Sequence, residues 1–189
     1  KIRRGRSFSN TVRLFAKRNQ IGMIVMGTKG ATGLTKYVLG SNTVSVMDAS
    51  RIPVLAVPAR AQFKNFKNIV YAADLKYLED EVHVMKPYLK LLDATLHVVH
   101  VCDKAKDCDQ LQADVKNILK QVDYRKSTVM IKTGKPVDKV VDSYVRELKA
   151  DLVTMFTHKR TAYENLFHRS MTKKMAFQSH VPLLTFKSK

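Results

Sequence analysis

The chain has 189 residues, of which 45% are hydrophobic and 26% charged, with a net charge of +18 and two cysteines. This is globular composition, with enough length for one full domain and part of another. It holds no apolar run near the roughly 20 residues of a membrane span and too few cysteines for a disulfide framework.

The positive charge favours anionic partners. Residues 1–60 hold 11 Lys/Arg against one acid, Asp48, and the remainder holds 23 against 15. The basic residues are scattered, and no interleaving with aromatic side chains marks a base-stacking platform, so nucleic acid is not the expected partner. Cys102 and Cys108 lack metal-ligand spacing and read as two reduced thiols of a cytoplasmic protein.

Along the chain, the apolar run Ile24-Val25-Met26 stops at Gly27-Thr28-Lys29-Gly30, and nine residues later Gly40-Ser41 opens a helix-like run to Ala49. A strand that empties into a glycine-bearing loop and then a helix N-terminus is a device for holding phosphate. Glycine lets backbone N–H groups approach an anion, and the helix end adds unpaired donors with a positive partial charge. The spacing is neither that of a P-loop nor that of the dinucleotide fingerprint. A strand over Val54–Val57 and a polar linker over Pro58–Phe66 follow.

From there strands and helices alternate. Strands are predicted over Ile69–Ala73, Ala94–Val101, Ser127–Thr133, Leu152–Phe156 and Val181–Phe186. Helices are predicted over Glu79–Leu92, Leu111–Val122, Val137–Leu148 and Ser170–Phe177. That order implies an open, parallel, five-stranded α/β sheet, doubly wound in the Rossmann-like manner, with ligands at strand carboxyl ends.

Shifted by 129 residues, the chain lies on itself. Pro53-Val54-Leu55 falls on Pro182-Leu183-Leu184, Gly5 on Gly134, Ser41 on Ser170, and Met26 and Thr28 on Met155 and Thr157. This is the mark of a tandem duplication. The expected organisation is the C-terminal half of a first copy over residues 1–57, a linker over 58–66, and a complete second copy over 67–189.

These motifs resemble the universal stress protein family, in the branch that binds ATP. The resemblance rests on Gly27, Gly30, Gly40 and Ser41, on Ile52 to Val57, and in the second copy on Asp74 and His100-Val101. It implies that Gly27 and Gly30 line a triphosphate, that Gly40, Ser41 and Asn42 bind phosphate oxygens, and that Met26 lies near the sugar. It further implies that Asp74 and Val101 stand where ribose and adenine contacts fall. The implied cofactor is ATP, with or without Mg²⁺, at low occupancy because the first copy lacks its adenine half. In the second copy Phe156, Lys159 and Arg169 replace the three glycines, so its phosphate loop reads as degenerate. Phe156 is expected to put a ring where backbone should approach phosphate.

The last strands of the two copies are expected to pair, within one chain as a pseudo-dimer or between chains as a homodimer. No triad, metal spacing or general base marks catalysis, so the protein is read as a non-enzymatic nucleotide sensor with a protein partner, a weak ATPase being the only activity the family suggests. The alternative is an interaction scaffold of the same fold that binds no nucleotide.

Overall fold

The computed structural model describes residues 7–28, 40–59, 61–62, 65–158 and 181–188. Within them the elements are α1 (Phe8–Arg18), β1 (Ile24–Gly27), α2 (Ser41–Ala49), β2 (Val54–Val57), β3 (Asn68–Ala72), α3 (Leu78–Leu92), β4 (Thr95–Cys102), α4 (Ala105–Gln121), β5 (Ser127–Thr133), α5 (Val137–Glu147), β6 (Leu152–Thr157) and β7 (Leu183–Lys187). Strands β1, β2 and β7 are neighbours in that order, as are β6, β3, β4 and β5. The sheet is mostly parallel and open, with helices alternating along the chain, as the alternating pattern predicts.

One unit comprises residues 62–155. Its β3 is parallel to both β4 and β6, and β4 is parallel to β5. The strands are apolar on both faces, as a covered parallel sheet demands; Val70, Leu96, Val98 and Val153 are fully buried. Helix α3 lays Leu78, Val82, Met85 and Leu89 on this sheet at helical spacing. Burying each such side chain is worth about 1.5–3 kcal/mol. Asp93 ends α3 in the left-handed conformation, and its carboxylate takes Lys126 and, at 3.6 Å, Lys67. That double contact holds the exposed carboxyl below its ordinary pKa. Helix α5 buries Val141, Tyr144 and Val145.

The other unit comprises residues 1–61 and 156–189. Ser7 caps α1 by accepting the Asn10 N–H at 3.4 Å. Strand β1 is parallel to β2, and β2 is antiparallel to β7. The β2–β7 register places Leu55 opposite Leu184, with Val54 opposite Thr185 and Ala56 opposite Leu183.

Most predicted boundaries fall within two residues of those found. Helix α4 differs, starting at Ala105 instead of Leu111. Residues 105–110 are mostly exposed polar side chains, so the added turns carry no apolar stripe to announce them. Asp107 in the first turn favours a start there, because a carboxylate complements the helix N-terminus. The predicted helix over Ser170–Phe177 lies outside the described residues. No helix among the described residues is long and apolar enough to cross a membrane.

Candidate functional site

The glycine-bearing motif forms a closed return. Thr28 follows β1 and donates its N–H to Val57 O at 3.0 Å, extending the β1–β2 ladder by one bond. Its own carbonyl accepts the Gly40 N–H at 2.8 Å. The chain therefore leaves at Thr28 and comes back hydrogen-bonded to the same residue. Thr43, in the first turn of α2, donates its hydroxyl to Gly27 O at 2.9 Å, which clamps the helix start to the end of β1.

The consequence for anion binding is specific. Gly40 is the N-cap of α2, with φ −54° and ψ 136° and no side-chain cap. Any residue can adopt that conformation, so backbone freedom does not require a glycine here. The Gly40 N–H is already committed to Thr28. The donors left at the helix end are those of Ser41, Asn42 and Thr43, which have no acceptor among the described residues. Ser41 and Asn42 are exposed, as is Gly27, and Met26 is half-buried. No acid stands in the first turn of α2. Gly30, Lys29 and Lys36 lie outside the described residues.

Asp48, the one carboxylate of residues 1–60, sits in the last turn of α2. This stretch thus offers phosphate a helix N-terminus and offers Mg²⁺ no carboxylate set.

Asp74 and Val101 follow the neighbouring parallel strands β3 and β4 toward their carboxyl ends. Ala73 donates its N–H to Val99 O at 2.9 Å, and its own carbonyl accepts His100 Nδ1–H at 2.8 Å. These bonds tie the two strand ends together. Asp74 is half-buried, and its Oδ1 accepts the Lys76 N–H at 3.1 Å, an Asx turn. Val101 is half-buried and stands opposite Lys132 of β5.

Two features went unread in the sequence. Cys102 and Cys108 are not reduced thiols: they form a disulfide, with their Cα atoms 6.2 Å apart. Cys102 ends β4 and Cys108 lies in the first turn of α4. The second feature is Glu81, which is 1% exposed and accepts the hydroxyl of the equally buried Tyr71. Burial raises the Tyr71 pKa well above its ordinary value, and the Glu81 charge and hydrogen bond add to this. Glu81 was legible in principle, since it falls on the apolar stripe Leu78, Val82, Met85 and Leu89.

Phe156, at the position equivalent to Gly27, departs from the expectation of a ring facing phosphate. Its side chain is 7% exposed and stacks on Phe186 with ring centres 5.1 Å apart. The other predicted residues of that loop, Lys159, Arg169 and Ser170 among them, lie outside the described residues.

The open, mostly parallel α/β sheet with a strand–loop–helix return is the architecture of nucleotide-binding Rossmann-like proteins. Residues 1–58 match the family model of the universal stress protein family. No curated protein matches the chain. Among solved structures, a universal stress protein from Archaeoglobus fulgidus is similar with a TM-score of 0.76 and 20% identity, over 95% of this chain and 66% of that one. The chain thus spans about two thirds of that relative's length. A protein of unknown function from Pseudomonas aeruginosa gives a TM-score of 0.70 at 16% identity, over 97% of this chain and 69% of that one. A universal stress protein in complex with cAMP gives 0.53 at 16% identity, over 66% of this chain and 98% of that one. At such identities the likeness is one of fold, and the fold of this chain is the universal stress protein fold.

Proposed function

We propose that the chain is a tandem universal stress protein whose first copy holds the phosphates of ATP and whose second copy is a degenerate partner. The observation that carries this is the Thr28–Gly40 hydrogen bond, which sets the open N–H groups of Ser41 and Asn42 beside the exposed Gly27. Those donors and the positive end of α2 suit an anion, and Gly40 keeps a side chain out of its way. The family match over residues 1–58 and the fold shared with a relative solved in complex with cAMP support an adenine nucleotide as ligand.

The strand register supports the tandem arrangement. Leu55 pairs with Leu184, the residue 129 positions on with which the internal repeat equates it. An antiparallel pair centred on equivalent residues is the geometry of a two-fold, in which one patch meets its own copy. Phe156 supports degeneracy of the second copy, because a buried ring stands where the first copy has an exposed glycine. Asp74 Oδ1 accepts the Lys76 N–H, and its second carboxylate oxygen is the acceptor the reading assigns to a ribose hydroxyl. The protein acts in the cytoplasm as a sensor, not an enzyme: nucleotide bound at the start of α2 shifts the population of states and changes association with a protein partner.

Calorimetric titration of the chain with ATP and, separately, with inorganic triphosphate tests the reading. Both ligands are expected to bind weakly and in competition, since the phosphates carry the contact. Gly40→Val should weaken both by about tenfold or more, some 1.4 kcal/mol. Unchanged affinity in that variant would refute the phosphate cradle, and failure of both ligands to bind the wild-type chain would favour the scaffold.

A further inference from the structure

Strand β5 is the outer strand of the run β6, β3, β4 and β5, and among the described residues nothing pairs with its far edge. Its register with β4 is unbroken from Leu96 opposite Ser127 to Cys102 opposite Thr133, so no bulge interrupts it. Leu96 donates its N–H to Lys126 O at 2.8 Å, which fixes the phase of the ladder. In a parallel pair, alternate residues carry the bonds to the neighbour. Lys126, Thr128, Met130 and Lys132 therefore turn their backbone groups to β4, whereas Val129, Ile131 and Thr133 turn theirs outward. Ser127 also faces out, but its N–H is taken by Arg125 O at 2.9 Å. The open edge thus offers the N–H and C=O of Val129, Ile131 and Thr133, none of which has a hydrogen-bond partner among the described residues.

Exposed edges are ordinarily blocked by lysine, proline or a bulge, and this one is not. Lys126 is engaged with Asp93, and Lys132 lies over the Tyr144 ring, 5.3 Å from its centre, so both lysines are drawn off the edge. No proline lies between Ser127 and Thr133. Beside the edge, between α4 and β5, runs a groove of about 580 Å³. Val129 lines it together with Lys116, Lys120 and Arg125, all three exposed. The carboxylate in that lining, Asp123, faces Lys86 at 3.9 Å. No ion pair engages Lys116, Lys120 or Arg125 among the described residues. A strand laid along β5 would place every second side chain on the side of the sheet that carries this groove.

We propose that the β5 edge is a docking site for an acidic segment of a protein partner, added in extended conformation as a further strand. Backbone bonds to Val129, Ile131 and Thr133 supply affinity, the ordinary role of the main chain in strand addition. Carboxylates at alternate positions of the segment meet Lys116, Lys120 and Arg125 and supply specificity. The seven residues of β5 take a segment of about seven residues, some 23 Å long. A second copy of the chain is not the occupant: with a net charge of +18, edge-to-edge pairing would set these cations against their own kind. Nucleic acid fits less well, because Tyr124, the aromatic residue of the lining, is 7% exposed and leaves no face for a base to stack on. The site lies wholly within residues 62–155 and stands independently of nucleotide binding at the start of α2.

The test is amide hydrogen exchange of the full chain, read residue by residue by NMR, with and without a synthetic peptide alternating glutamate and valine over about seven residues. Exchange at Val129, Ile131 and Thr133 should slow by about tenfold or more, while Met130 and Lys132, already bonded to β4, change little. Fluorescence polarisation then compares affinities. A peptide with lysine in place of glutamate should bind at least about tenfold more weakly, and so should the double variant Lys116→Glu with Lys120→Glu toward the acidic peptide. The fully N-methylated acidic peptide keeps its charge but cannot donate, and it should lose binding. Val129→Pro removes an outward N–H and no bond to β4, so it should lose binding as well. If that variant does not fold, the methylated peptide carries the same comparison. No binding of the acidic peptide, or equal binding of its methylated or lysine form, would overturn the proposal. Concentration-dependent protection of the same amides without peptide would overturn it too, by showing that the edge pairs with a second copy.

Discussion

The buried pair Tyr71–Glu81 can be tested by removing a single oxygen. Both residues are 1% exposed, and the Tyr71 hydroxyl donates to a carboxylate oxygen of Glu81. A hydrogen bond to a charged group contributes about 1.5–3 kcal/mol net, and burial of both partners removes water as a substitute donor. Tyr71→Phe leaves the ring packing and β3 untouched, so the expected loss is about 2 kcal/mol. A second signature separates this bond from mere packing. Burial first, then Glu81 and Asp74, raise the Tyr71 pKa from 10.0. Above pH 10 the unfolded chain therefore releases a phenolic proton that the native chain keeps. The unfolded state then binds fewer protons, and stability falls by about 1.4 kcal/mol per pH unit from this group alone. Tyr124, also raised by burial, contributes with the same sign in both proteins and cancels in the comparison. Urea unfolding followed by circular dichroism, at neutral pH and at steps above pH 10, measures both effects. A variant within about 0.5 kcal/mol of wild type, the range of an inert substitution, and with the same alkaline slope would refute the argument.

At Gly134 a Cβ atom would stand 2.6 Å from Val140 Cγ2, whereas at Gly22 it would meet nothing within 4 Å. Gly134→Ala should cost about 1–3 kcal/mol as an overpacked site, and Gly22→Ala should leave the thermal midpoint nearly unmoved, both read by calorimetry. The Cys102–Cys108 disulfide closes a loop of sequence separation 6, for which chain entropy gives about 2 kcal/mol of stabilisation. Alkylation of the denatured, unreduced chain should label neither cysteine, and reductant should lower the urea midpoint. Labelling of both without reductant would restore the reading of two free thiols.

Strands carried most of the legible signal. Val70, Leu96, Val98 and Val153 belong to apolar runs too short for helices and bounded by polar residues, and a parallel sheet covered on both faces leaves no other reading of such runs. Periodicity served the helices only where a face is buried. Helix α3 shows its stripe, whereas residues 105–110 of α4 are mostly exposed and polar and gave the same test nothing to detect. The disulfide was hidden as well, because two cysteines six residues apart carry no spacing signal of their own, and Cys108 lies in the unannounced first turn of the helix. Glu81 was hidden differently: one acid inside an apolar stripe reads as an interruption until a partner such as Tyr71 is seen across the fold.

The glycine-bearing stretch after β1 was legible in its residue types and not in its bonding. Spacing alone gives Gly40 a donor role, because every helix N-terminus exposes N–H groups. The fold spends that donor on Thr28, 12 residues earlier in the chain, and no sequence rule anticipates a bond across that loop. The bond leaves the helix end open. It fixes the position of Gly40 relative to β1 without using the donors of Ser41 and Asn42, and Thr43 adds a second tie through its side chain. An anion arriving there would find the helix end already anchored. The ordering cost of bringing α2 to β1 is met by folding and not charged against binding.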